Sequence, residues 1–382
     1  MKILFCGTNL PESLDLELRY LSLSGNRFQN NIYEFIKKNN SEITSFNYIG
    51  YPIEDEKKKL VEKEISGDFE KQYVFKNGNI LKSLILYRKI LKKKLKENDL
   101  VIVYNICYPW LFLPNFVKKN KNINTVVILA DYTGTESYKN LLMKLYAKIC
   151  LHDMKKYNLV VGLSSNIENK ITKKQKFICV EGGINLEHFL NNNFKPIALN
   201  KKEKIRIMYS GALKDVTGVD LLLDAIKLIK NKNVEFIFSG KGMLENEIIN
   251  ASKEDRRIIF KGSMPYDEYL KTMANSHILI NPRNMNMPEN ENNFPSKFME
   301  YLASGRVLVS TKFAGYEKFL DTAHFCDSNS ISLAKEIEKT IESYSDEYKV
   351  FFKYNRNKAK NYDFNEQMKK ILKVVKDMKK HD

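Results

Sequence analysis

Short apolar runs recur along the first half of the chain, at residues 2–6, 100–105, 125–129, 159–163 and 177–180, with helical patterns between several of them. A run of four to six aliphatic and β-branched residues suits a strand buried on both faces. Alternation of such strands with helices predicts a parallel sheet covered by helices on each side. A second series follows at 205–209, 234–238, 258–261, 278–281 and 307–310, with helical segments such as 218–229 and 266–273 between its strands. The stretch separating the two series, 191–204, is polar, contains Pro196 and has no periodicity, as expected of a linker. The predicted fold class is therefore α/β, with two Rossmann-like domains at 1–190 and 205–345. Residues 346–382 read as a lysine-rich helical segment with its apolar content at Phe351, Phe352, Tyr354, Tyr362, Phe364, Ile371, Leu372 and Val375. It is expected to pack back on the first domain, although packing within the second would show the same pattern.

Composition supports this picture and narrows the setting. A length of 382 residues allows two full cores, and 43% hydrophobic with 29% charged residues is ordinary for a globular protein. No apolar run is long enough for a membrane-spanning helix, and the first residues read as a strand entering a turn at Gly7 rather than as a signal peptide. The five cysteines are scattered with no C-x-x-C pair, and the five histidines show no ligand spacing. Reduced thiols in a cytoplasmic protein, with no metal site and no cofactor, are the expectation.

Charge changes the picture more. Of the net +17, residues 71–180 hold 21 Lys/Arg against 6 Asp/Glu, a surplus of 21 − 6 = +15. Two segments there are amphipathic at helical spacing: 82–96, with Leu84, Ile85, Leu91 and Leu95, and 138–154, with Leu141, Leu142, Leu145 and Ile149. Core-packing helices with solvated lysine faces fit this pattern. So do helices lying on an anionic membrane surface. Nucleic acid is not expected, since the basic segments lack a binding module and are not interleaved with aromatic platforms.

Candidate chemistry concentrates at residues 292–311, a loop, a short helix and a buried strand. Pro295 suits the first helical turn, Gly305 suits a left-handed helix end, and Val307–Val309 begins the strand. The free amides of the helix N-terminus, with Ser296 and Lys297 in the first turn, make a natural anion site. Glu300, one turn on among Phe298, Met299 and Leu302, could accept two hydrogen bonds from a ribose diol, or could be an ordinary solvated charge. The loop 209–218, with Gly211, and the turn 238–243, with Ser239, Gly240 and Gly242, each follow a strand; such turns let a diphosphate or base approach the main chain, and plain turns look alike.

Taken together, residues 292–311 resemble the donor-site signature of retaining GT-B glycosyltransferases, specifically glycosyltransferase family 4, in its F-P-S-K-x-x-E-Y-x-x-x-G form. The resemblance implies a GT-B fold and a donor site in the second domain, with Glu300 on the ribose, Lys297, Ser296, Gly211 and Lys214 around the diphosphate, and Asn292, Asn293 and Phe294 near the sugar. The family pattern has a pair of glutamates; Glu300 matches the second, and the first falls on Asn292, with Glu291 one residue out of register, so either could fill that position. The family's phosphate-binding arginine and lysine fall on Ala212 and Thr217, which leaves Lys214 and Lys297 as candidate cations, with Lys297 favoured. Residues 260–265, including Met264, resemble the segment that pairs with the base, and 180–185 resemble the hinge segment. Residues 25–29, with Asn26 and Arg27, resemble the acceptor-side helix, and Asp131 stands near a histidine of many relatives, where it would bond donor sugar or acceptor hydroxyl or simply cap the next helix. The implied catalytic residues are Lys297, Asn292 and Asp131. The implied activity is transfer of a hexose from a nucleotide-sugar, a UDP-sugar in preference to a GDP-sugar, to a saccharide or lipid-linked saccharide, without a metal. A catalytically silent subunit that stabilises a partner transferase is the alternative.

Overall fold

The computed structural model describes residues 1–10, 23–39, 42–49, 72–76, 80–173, 175–192, 194–200 and 203–379. The strands are β1 (Lys2–Gly7), β2 (Glu42–Ile49), β3 (Gln72–Lys76), β4 (Leu100–Tyr104), β5 (Asn124–Leu129), β6 (Leu159–Gly162), β7 (Lys176–Cys179), β8 (Ile205–Ser210), β9 (Val234–Ser239), β10 (Ile258–Phe260), β11 (Ile278–Asn281), β12 (Val307–Thr311) and β13 (His324–Cys326). The helices are α1 (Leu23–Lys38), α2 (Ile80–Glu97), α3 (Leu113–Asn120), α4 (Leu141–Met154), α5 (Leu186–Asn191), α6 (Val219–Leu228), α7 (Glu245–Glu254), α8 (Tyr266–Ala274), α9 (Ser296–Ser304), α10 (Ser330–Ala359) and α11 (Phe364–Lys379). The chain divides into two compact units, residues 1–180 with 367–382, and residues 181–366.

Each unit is built on a parallel sheet. The first has strand order β3-β2-β1-β4-β5-β6-β7 and the second β10-β9-β8-β11-β12-β13. Strands β4, β5, β6, β8, β9, β11 and β12 were legible because their side chains are apolar and buried on both faces. β2 escaped the sequence reading because its buried positions include Thr44, Ser45 and Asn47, which break the apolar run. In each sheet the order reverses beside the first strand of the unit, between β1 and β4 and between β8 and β11. Loops at the C-terminal ends of the strands gather at such a reversal, which is where ligands of doubly wound sheets bind.

In the second unit α6 and α10 pack on a core containing Ile207, Phe236, Ile280 and Val309. His277, at the start of β11, is fully buried: its Nδ1 accepts from the Arg206 amide at 3.0 Å, and the ring meets Tyr344 edge-on at 5.5 Å. Burial and the nearby Arg206 and Arg306 push its pKa down from 6.5 to about 4. The unfolded chain thus binds the proton more tightly between those values. The resulting stability is complete above pH 6.5 and is lost as pH falls toward 4, about 3 kcal/mol in all. A urea midpoint that drops between about pH 7 and about pH 4.5, less steeply in His277→Leu, is the expected result. Equal slopes in the two proteins would refute it.

Candidate active site

Four loops of the second unit, those after β8, β9, β10 and β11, meet at the C-terminal ends of the strands. After β8 the chain turns at Gly211, whose amide donates to Ser239 O at 3.0 Å, so that the loops after β8 and β9 lie against each other. Gly240 has φ 138°, and a Cβ there would sit 1.8 Å from Gly211 O; the close approach requires glycine. Gly240 N in turn donates to Gly262 O at 2.9 Å, which joins the loop after β10. Gly218, at φ 76°, brings the start of α6 onto the backbone of Pro282, just past β11.

Helix α9 points its N-terminus into the same region. Pro295 is its N-cap and supplies no side-chain cap, and Gly305 ends it in the left-handed conformation at φ 71°. Tyr301 anchors the helix to β8: its hydroxyl accepts from Ser210 N at 2.9 Å and lies 3.1 Å from Ser210 O. The helix register then sets Lys297 and Glu300 on one face, one turn apart. Lys297 Nζ donates to Glu300 Oε2 at 2.9 Å and lies 4.3 Å above the Tyr269 ring. Tyr269, buried on α8, donates its hydroxyl to the same Glu300 oxygen at 2.6 Å. Burial, together with the Glu300 charge, drives the Tyr269 pKa far above the usual tyrosine range, so the hydroxyl stays protonated and remains a donor. The Lys297 and Tyr269 donors both use Oε2, which leaves Oε1 as the oxygen for a further partner.

The loop before α9 is polar inside. Asn292 is 1% exposed, and neither its Oδ1 nor its Nδ2 has a hydrogen-bond partner among the described residues. Burying such an amide unsatisfied costs about 1–3 kcal/mol per group, which a bound polar ligand would recover. Glu291 beside it is exposed, so the buried member of the pair is Asn292. Asn290 braces the loop by donating to Val216 O and Asn284 O, each at 2.7 Å, and Asn293 donates to Glu289 O at 2.7 Å.

Residues 204–343 match the family described as Glycosyl transferases group 1. The chain has the GT-B fold. A glycosyltransferase from Rickettsia africae superposes with a TM-score of 0.70 at 17% identity, covering 100% of this chain and 99% of that one. Sucrose-phosphate synthase from Thermosynechococcus elongatus gives 0.75 at 12% identity, with both chains covered in full. Anabaena Alr3699/HepE in complex with UDP gives 0.70 at 15% identity, covering 99% of this chain and 100% of that one. A search of curated proteins by sequence gives no match.

Within the GT-B second unit, Gly211, Ser239, Gly240, Asn292, Lys297 and Glu300 lie on loops and a helix that converge at one sheet edge. Lys214 and Ser296 are exposed, and Ser239 and Met264 are buried at 3% and 7% exposure, with Thr272 Oγ1 at 3.6 Å from the Met264 sulfur. Thr217 directs its hydroxyl at its own loop, 2.7 Å from both Ala212 O and Lys214 O. Phe294 is 6% exposed and packs edge-on against Phe313 at 5.4 Å and near Phe319 at 6.0 Å, so its ring belongs to an aromatic cluster of the core.

Two residues of the first unit fall in different roles. Asp131 is exposed just past β5 and receives a 3.4 Å contact from Asn105 Nδ2, while Asn105 Oδ1 accepts from the Ala130 and Asp131 amides. Asn105, at φ 54° just past β4, is thus what shapes this turn. Asn26 fastens α1 to the loop after β1: it is 1% exposed, its Oδ1 accepts from Leu10 N at 2.7 Å and its Nδ2 donates to Leu10 O at 2.9 Å. Tyr269 and Asn105 went unnoticed in the sequence because each acts on a partner 31 or 26 residues away, and no local motif marks such a pair.

Proposed function

We propose that the chain is a retaining glycosyltransferase that moves a hexose from a nucleotide-sugar, a UDP-sugar before a GDP-sugar, to an acceptor hydroxyl. The observation that carries this reading is the Lys297–Glu300–Tyr269 cluster beside the uncapped start of α9, next to the unpartnered Asn292. In this reading Glu300 Oε1 takes the ribose diol while Tyr269 holds Oε2. Lys297 turns from Glu300 toward the diphosphate, where the α9 amides and the Gly211 turn supply further donors. Asn292 bonds the sugar. As the sugar–phosphate bond breaks, Lys297 neutralises charge on the leaving diphosphate, whose oxygen accepts the proton of the attacking hydroxyl; no protein nucleophile and no metal is invoked. Asp131 is assigned to the acceptor side. The acceptor is a saccharide or lipid-linked saccharide of a surface polysaccharide or other glycoconjugate, used by a cytoplasmic enzyme held at the inner membrane face. The donor preference is supported by the Anabaena protein, which has been crystallised with UDP, with UDP and glucose, and with UDP-glucose.

A thermal-shift screen of nucleoside diphosphates and nucleotide-sugars tests the reading, because a ligand of the folded state raises the midpoint with its saturation. UDP is expected to stabilise the protein. Tyr269→Phe, which frees Glu300 from its 2.6 Å anchor, is expected to weaken UDP about tenfold and to narrow the preference for UDP over 2′-deoxy-UDP. No shift with any nucleotide would favour the second reading, a silent subunit that stabilises a partner transferase. That reading draws on Ala212 and on the engaged Thr217 hydroxyl at the two positions where the family resemblance implies cations.

A further inference from the structure

Helix α4 buries only Ala147, Asp153 and Met154. Three residues of its expected packing stripe face outward at its start, Leu141 being 80% exposed, Leu142 74% and Leu145 55%, and Met143 beside them is 40% exposed. On α2, Ile85 and Leu86 are likewise exposed, at 71% and 51%. The two helices belong to one layer, since Leu91 and Leu95 of α2 and Met154 of α4 share a core cluster on the same sheet. Each follows a parallel strand, α2 after β3 and α4 after β5, so both begin at the strands' C-terminal edge. Two exposed aliphatic helix starts therefore lie in one layer and toward one edge of the first unit.

Lysines surround them. Lys139, Lys144 and Lys148 are exposed on and just before α4, and Lys89, Lys92 and Lys93 on α2. Asp153, the one acidic residue of α4, is buried and accepts from the Phe112 amide at 2.8 Å. Acid is thus missing from the exposed face of α4, within a stretch whose surplus is 21 − 6 = +15.

We propose that this layer docks on an anionic lipid bilayer, with Leu141, Leu142, Met143 and Leu145 among the acyl chains and Lys139, Lys144 and Lys148 at the level of the phosphates. An apolar patch alone would accept many partners; the lysines select among them. A second copy of the same face would set two lysine-rich layers against each other, whereas a bilayer of acidic lipids meets the apolar and the cationic residues at once. Lysine stems cover apolar surface while the ammonium stays in the headgroup layer, which lets the two residue types share one short helix. The attachment is interfacial, because among the described residues no helix is long and apolar enough to cross a membrane. This inference rests on exposure and charge in the first unit and stands whether or not the chain transfers sugars.

Flotation of the full chain with vesicles measures it. Wild type is expected to float with phosphatidylcholine–phosphatidylglycerol vesicles and not with phosphatidylcholine alone. The exposed pair Leu141→Ser with Leu142→Ser should lower the partition coefficient at least about tenfold, and Lys144→Glu with Lys148→Glu should do the same, with circular dichroism and unfolding midpoint unchanged. Equal flotation on the two lipid mixtures, or full binding by the leucine variant, would overturn the proposal. So would a dimer in sedimentation equilibrium that the leucine variant dissociates, since the occupant would then be a second copy.

Discussion

Lys297→Ala is expected to lower transferase turnover about a hundredfold to a thousandfold while shifting the unfolding midpoint by only a few degrees. The two outcomes separate because Lys297 does different things in the free and the reacting protein. In the free protein it pairs with Glu300 at 2.9 Å and stacks over Tyr269 at 4.3 Å, with side chains 24% and 21% exposed. A partly solvated i,i+3 pair and one cation–π contact contribute on the order of 1 kcal/mol, and Glu300 keeps its Tyr269 hydroxyl after the substitution. In the reaction the leaving diphosphate gains charge, and a lost donor aimed at developing charge typically costs a hundredfold to a thousandfold in turnover. Release of UDP from the donor under single-turnover conditions reads the chemical step directly. Lys297→Arg should recover part of the rate. A Lys297→Ala protein of full activity would remove Lys297 from the diphosphate and the site assignment with it.

The largest stability effect is expected at Gly218. Its φ of 76° is a left-handed conformation that costs a side chain energy, and an added Cβ would lie 1.7 Å from Pro282 O and 2.6 Å from Pro282 C. Those atoms are backbone at the end of β11, so no side-chain rotation relieves the overlap. Gly218→Ala should destabilise the second unit by about 3 kcal/mol or more, roughly 10 °C in midpoint for a domain of this size, and should weaken UDP by parting the loops after β8 and β11. Gly262→Ala is the control. Its φ is 64° with nothing within 4 Å of the added carbon, so only backbone strain of about 1 kcal/mol remains. Equal calorimetric midpoints for the two variants would show that the loops do not approach each other as described.

Several features of the site were legible along the chain. The left-handed end of α9 at Gly305, its start beside Pro295 and the buried strand β12 are local matters of φ, capping and an apolar run, and each appears where its residues imply. The strand Glu42–Ile49 was not legible, since a central strand with Thr44, Ser45 and Asn47 inside looks polar. Its Ser45 hydroxyl instead donates to Asn9 Oδ1 at 3.3 Å, a partner supplied only by the fold. That Asn26 bonds the Leu10 backbone and that Phe294 packs into an aromatic cluster is likewise not written in their neighbours along the chain. The stripe of Leu141, Leu142 and Leu145 has the periodicity of a packing face and is more than half exposed.

By itself the sequence determined the alternation of strand and helix, the two parallel sheets and the short helix carrying Lys297 and Glu300, because hydrophobic period, caps and turn residues act over a few positions. Only the tertiary structure decided that Tyr269 holds Glu300 from 31 residues away, that Asn292 rather than Glu291 is the buried member of its pair, and that the start of α4 stays uncovered. The reason is physical: burial and hydrogen-bond partnership belong to surfaces that strand order brings together, and a residue's neighbours along the chain carry no record of them.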